Sequence, residues 1–309
     1  MSYEFRFDQP ADAEARRILA ALADRAAAVL SDAPDPTRSV FKARRAAKRA
    51  RALLTLARPA LSKEQYAEQN TAWREAGRTL SGLRDVSAVS ATLERLAAEE
   101  VADDDLKSAY EQLRDIAATR ERCSLRRHEA AARLARAWQF VDEAKRVAPS
   151  FETLQPADLI AGARKVYRRG RKEMRDASRE ASADRDHDWR KRVKHHGLHM
   201  RLLRPLDPKS VGVQERRAKD AAAALGWIND LAVAAIELSG LAEDVFSQRA
   251  LRSVADGIAM KRDKAREAAF DRAELVYQDT PQRFAARLIA LDPDLFAPPG
   301  DENAVRAAS

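Results

Sequence analysis

Glycine is scarce in this sequence, 10 among 309 residues, while Ala, Leu, Arg and Glu recur throughout. Strong helix formers dominate, and the turn residues that a multi-stranded sheet requires are in short supply. The composition predicts an all-α protein. Cysteine is rarer still: Cys123 stands alone, so no internal disulfide can form, and a single thiol in an Ala/Arg/Glu-rich helical stretch fits a reducing compartment. No run of about 18 apolar residues is read in the chain. The N-terminal "MSYEFRFDQPADAEARR" lacks the apolar region and small-residue cleavage site of a secretion signal. A soluble, cytoplasmic protein is the expectation.

Basic residues outnumber acidic ones, 56 to 48, giving a net charge of +8 and a pI near 9.7. The surplus field is positive and favours polyanions. A hydrophobic content of 45% is enough for a sizeable core. Helix punctuation divides the chain into periodic segments at about 10–32, 36–58, 62–81, 83–99 and 103–147. Asp35-Pro36 is an N-cap with proline in the first turn, and Ser62 with Gln65 is a capping box. The acidic "AEEVADDD" reads as a solvated loop. A break at "RVAPSFETLQPADL", with Pro156 and Asp158 starting a new helix, places a midpoint boundary between residues 1–150 and 151–296. Residues 297–309 lack an apolar face and read as a frayed tail.

The two halves are related. Shifting the sequence by 146 positions brings Arg25 onto Arg171, Arg44 onto Arg190, Arg45 onto Lys191 and Lys48 onto Lys194. Leu56, Arg58 and Pro59 fall on Leu202, Arg204 and Pro205, and Arg120, Glu121 and Arg126 on Arg266, Glu267 and Arg272. With one residue of slippage, "LSGLRD" aligns with "LGWIND". Two helical halves meeting through a pseudo-two-fold axis would bring equivalent basic helices together.

Five histidines occur in the chain, and four of them lie in "RDHDWRKRVKHHGLHMRLL", residues 185–203. Helical geometry disperses them. At about 100° per residue, Phe41, Arg44, Lys48 and Arg51 share one stripe, and His187, Arg190, Lys194 and Gly197 share its counterpart. Arg45, Lys191 and Arg201 lie on or beside these stripes. Ala43, Ala46, Ala47, Ala50 and Leu54 form the opposite face of the first helix, and Trp189, Val193, His196, Met200 and Leu203 that of the second. Such a run of charge is ordinarily a solvated face. Here like charges repeat at spacings that repel, no carboxylate falls within either stripe, and the pattern recurs in both halves. Arg forks and Lys point charges suit phosphate oxygens.

Other chemistries fit less well. His195 and His199 have the spacing of a helical metal pair, but the glutamate of H-E-x-x-H is missing and Arg192, Lys194 and Arg201 would repel a dication. The doublet His187-Asp188 invites comparison with helical HD phosphohydrolases, but His128 is the only upstream histidine to join it. His187 itself reads as a phosphate donor, and His196 as a core-edge residue beside Trp189 and Met200. Nucleic acid is a competing ligand for any phosphate groove, yet the stripes lack interleaved aromatics for stacking. A scaffold whose Arg-rich faces bind proteins is a third class.

"HDWRKRVK" followed by "LGWIND" resembles the CHAD family, helical domains whose paired motif is H-x-x-R-x-x-x-[KR]-x-x-[RW], then L-G-x-x-[RN]-D. The first copy keeps Arg44, Lys48 and Arg51, with Phe41 where a histidine is usual; Gly197 stands where a bulkier residue is common and opens space. "VYRRGRKEMR" and "REAAFDRAELVYQDTPQRFAARL" extend the likeness to about residue 292. The resemblance implies two four-helix bundles around a basic cavity that binds inorganic polyphosphate, often at polyphosphate granules. It also implies a stand-alone protein, since the E-x-E-x-K strand motif of the CYTH triphosphatases often fused to such domains is not found. A non-catalytic polyphosphate-binding module without a cofactor follows. Its binding residues are expected to be Arg44, Arg45, Lys48, Arg51, Arg84, His187, Arg190, Lys191, Lys194 and Arg201. The duplicated Arg25, Arg171, Arg126 and Arg272 either extend the lining or mark exposed helix faces.

Overall fold

A computed structural model describes residues 2–33, 35–100, 102–124, 127–241 and 248–297. All of its regular structure is helical, in eleven α-helices, and no strand occurs among the described residues. The first half holds α1 (Ala11–Ser31), α2 (Pro36–Leu56), α3 (Lys63–Thr79), α4 (Gly82–Glu99), α5 (Asp104–Ser124) and α6 (Arg127–Arg146). The second holds α7 (Pro156–Arg179), α8 (Ala183–Leu203), α9 (Ser210–Leu241), α10 (Gln248–Val276) and α11 (Pro281–Ile289).

The expected caps form. The Asp35 carboxylate accepts from Arg38 N–H at 3.0 Å, and Ser62 and Gln65 exchange hydrogen bonds of 3.1 and 3.0 Å. At α7, Pro156 occupies the first turn and the Asp158 carboxylate accepts from Gln155 N–H at 3.0 Å. Each satisfies a donor that the helix ladder leaves open.

One pair of element boundaries keeps the 146-position offset. Short 3-10 turns at Arg58–Ala60 and Arg204–Leu206 follow α2 and α8 and differ by 146 positions. Where α3 and α4, and α5 and α6, are separate, the second half runs on as α9 and α10. Helices α1, α2, α3 and α6 pack in a closed cycle, α7 to α10 pack in chain order, and α2 also contacts α7 and α8.

One apolar core joins Ile18, Leu53, Leu54 and Trp73 from the first half to Leu159, Trp189, Val193 and Leu225 from the second. A second unites Leu93, Leu96, Tyr110 and Leu113 of α4 and α5 with Leu231, Ala234, Val254 and Ile258 of α9 and α10. Fully burying one such large side chain contributes about 1.5–3 kcal/mol. The sequence reading missed one apolar stretch: Ser210–Leu238 contains an 18-residue window of mean hydropathy 1.4, apolar enough in length and composition to cross a membrane. In the folded chain α9 supplies residues to both cores, and 44% of that window is buried.

Candidate functional site

Helices α2 and α8 carry the two basic stripes, and their alanine and apolar faces are sunk in the core as the periodicity predicts. Burial of those faces fixes the rotation of each helix, and so fixes where its cations point. Arg44 Nη1 donates to the Gly77 carbonyl at 3.0 Å, and Arg51 Nε to Asn70 Oδ1 at 2.9 Å, both on α3. On α8, Arg190 lies over Gly226 of α9, with Nη2 at 3.5 Å from where a Cβ would sit. Each half therefore lays its leading arginine across a glycine of the following helix. His187 Nδ1 is 2.9 Å from Asn229 Oδ1, so "LGWIND" contributes a side chain that orients the ring. Phe41, the histidine's counterpart, is 56% exposed.

The stripes are not the whole constellation. The Arg51 guanidinium is held below its usual pKa by burial, and by the nearby Arg74 and Arg192 against the opposing Tyr66. Arg49 is lowered likewise, by burial and by Arg45, Arg201 and Arg25, with Tyr3 opposing. Arginines of α2 and α8 thus lie within electrostatic reach of one another at two places along their contact. Arg49 and Arg192 lie off the stripes and were not among the expected binding residues; their signal is tertiary. Arg192 Nε is buried without a hydrogen-bond partner among the described residues.

Carboxylates enter where the sequence stripe showed none. Lys191 Nζ is 2.9 Å from Asp188 Oδ1, one turn earlier on α8, because side chains three apart share a face. Arg201 pairs with Glu4 at 3.1 Å and Glu215 at 3.4 Å. Of the remaining duplicated arginines, Arg25 joins the Arg49 group, half-buried Arg171 lies near Tyr167, and Arg272 Nη1 donates to Ala268 of its own helix at 3.1 Å. The side chain of Arg84 and the whole of Arg126 fall outside the described residues.

Of the remaining histidines of the cluster, His196 and His199 are buried and His195 is half-buried. His199 Nε2 donates to the Ala52 carbonyl at 2.9 Å, tying α8 to α2; burial lowers its pKa to about 4, against that hydrogen bond. Burial also pushes His195 to about 3, helped by His199, Arg51 and Arg192. His196 falls to about 3 through burial and His199. Rather than sitting at the core edge beside Trp189, His196 is fully buried among Tyr167, Tyr277 and Phe284, with ring centroids 5.3, 6.1 and 5.4 Å away. No group of three or more His, Cys, Asp or Glu among the described residues is placed to hold a metal ion. Nor does Gly197 open space, for a Cβ there would come within 3.3 Å of Ala218 Cβ on α9.

An all-helical chain whose helices α2 and α8 bring arginines within electrostatic reach of one another defines the class. Residues 13–239 match the CHAD domain, and the chain belongs to that family. The match ends within α9, earlier than the sequence likeness to residue 292 suggested. Comparison with curated proteins finds no match.

Proposed function

We propose that this protein binds inorganic polyphosphate, without catalysis, along a basic groove where two pseudo-symmetric helical bundles meet through α2 and α8. Arg44, Lys48 and Arg51 would serve it from one half and His187, Arg190 and Lys194 from the other, with Arg45, Lys191 and Arg192 beside them. The observation that carries this reading is the packing of α2 on α8, which sets Arg192 within electrostatic reach of Arg51 and Arg201 within reach of Arg49. Bringing like charges together weakens a fold, and an extended anion reverses that cost. Family membership supports it independently.

His187 suits a supporting role. With Asn229 Oδ1 facing Nδ1, the ring carries its proton there, and protonation at Nε2 would add a second donor for a phosphate oxygen. Phosphates would be held by charge-assisted hydrogen bonds. Affinity should therefore fall steeply with salt as counterions are released. A protein of this kind would localise to polyphosphate granules in the cytoplasm.

Exposed Phe41 favours a second reading, single-stranded nucleic acid, because an aromatic ring on the α2 stripe offers a stacking surface. Competition separates the two. At matched salt a long polyphosphate should bind more tightly than single-stranded RNA of equal charge, and equal or weaker binding defeats the polyphosphate reading. Reversing Arg190→Glu together with Lys194→Glu should weaken binding by ~100-fold or more while leaving the helical circular dichroism intact; retained binding would place the site elsewhere.

A further inference from the structure

Residues 2–9 precede α1 and lie outside the matched span 13–239, yet they are built into the fold. Tyr3 is buried, with its hydroxyl donating to the Arg49 carbonyl at 2.7 Å and the Arg49 guanidinium 4.9 Å above its ring. Phe5 is 1% exposed, and its N–H donates to the Leu202 carbonyl of α8 at 3.0 Å. Between these two anchors stands Glu4. Its carbonyl accepts from Arg17 of α1 at 2.9 Å, and its carboxylate reaches Arg201 of α8 at 3.1 Å and Arg204 at 2.7 Å. Glu215 of α9 approaches the same two arginines at 3.4 and 3.8 Å.

This places a fixed carboxylate at one end of the basic seam. Arg201 lies within electrostatic reach of Arg49, as do Arg45 and Arg25. A phosphate advancing along α8 from Arg190 would meet Arg201 with its charge already engaged. The carboxylate cannot swing aside cheaply, because the residues on both sides of it are buried and Arg17 holds its backbone.

We infer that Glu4 is a specificity-determining residue, a carboxylate that competes with the phosphoryl oxygens of a polyanion for Arg201 and Arg204 and so limits how far along α8 the chain is held. The inference rests on the polyphosphate reading. It adds a contact supplied by residues 2–9, an N-terminal strap that precedes the helices. Eleven residues separate Arg190 from Arg201, about 16 Å of helix at 1.5 Å per residue. Only chains long enough to span that distance should sense Glu4.

The test is titration of the full chain with short and long inorganic polyphosphates over a range of salt. Glu4→Gln should tighten binding of the long chains about fivefold at low salt, with a salt dependence steeper by about one released counterion, and leave short chains unchanged. Adding Arg201→Gln and Arg204→Gln to that variant should remove the gain. Glu215→Gln, which leaves the strap untouched, should tighten long-chain binding in the same direction. Unchanged long-chain affinity of a natively helical Glu4→Gln would overturn the inference, as would a gain that survives loss of both arginines. Failure of the wild-type protein to bind any polyphosphate is a different result, and it would remove the underlying reading itself.

Discussion

Asp186 is 3% exposed and lies within reach of two guanidinium groups of α10, Arg266 at 3.2 Å and Arg262 at 3.5 Å. Arg266 also donates to the Ala177 carbonyl at the end of α7. The start of α8, and with it His187, is thereby stapled to α7 and α10. Removing the buried carboxylate leaves two partly exposed guanidinium groups without their acceptor, so Asp186→Ala should cost about 1–3 kcal/mol by chemical denaturation. The 146-residue offset places Val40 at the equivalent position, so the pattern match gives no notice of this staple in the second half. Gly162 makes a steric demand of comparable size. A Cβ on it would come within 1.9 Å of the Leu56 carbonyl oxygen, where α7 crosses the end of α2. Backbone cannot yield as a side-chain tip can, and Gly162→Ala should lower stability by about 2–4 kcal/mol in the same assay. Nothing in "LIAGARK" distinguishes this glycine from a tolerated one, because the atom it avoids lies more than 100 residues away in sequence.

Individual helices were legible because their signals are local. Asp35, Ser62 and Pro156 mark starts that the structure keeps, and the alanine face of α2 is buried as its period requires. Ser182 is a cap of the same kind, its hydroxyl accepting from Arg185 N–H at 3.2 Å. Ser182→Ala should therefore cost about 1 kcal/mol, read as a lowered thermal midpoint. The arginine stripes were legible for the same reason, since rotation follows from the buried face. Illegible were the partners: Arg49 and Arg192 join the constellation only because α2 crosses α8, and Arg201 meets Glu4 only because the N-terminal strap returns to α8. Continuity of α9 across the counterpart of the α3–α4 break was also hidden, since that junction holds no proline in either half.

For the molecule as a whole, the shared core is decisive. Leu53 and Leu54 of the first half lie in one cluster with Leu159 and Trp189 of the second, so residues 1–150 expressed alone should lack a cooperative thermal transition. Acid should destabilise the intact protein. His195, His196 and His199 titrate near 3 to 4 when folded, against an ordinary value of about 6.5. Below about pH 6.5 the unfolded chain takes up protons that the folded protein refuses, so stability is full above that pH and is lost as the pH falls toward about 4. The slope reaches about 1.4 kcal/mol per pH unit for each imidazole. Thermal midpoints measured from pH 7.5 to 4.5 check this; a flat profile would mean that these rings titrate alike in both states.

The length of α9 carries a mechanical consequence. Its 32 residues make a rod about 48 Å long at 1.5 Å per residue, unbroken where the first half has a joint. One end is packed against α8 in the first core, and the other is packed with α4, α5 and α10 in the second. A tilt of about 5° at the Ser210 end would sweep the Leu241 end through about 4 Å by the same helix geometry. Any change of tilt where α9 packs on α8 would therefore be felt, enlarged, where it packs with α4, α5 and α10.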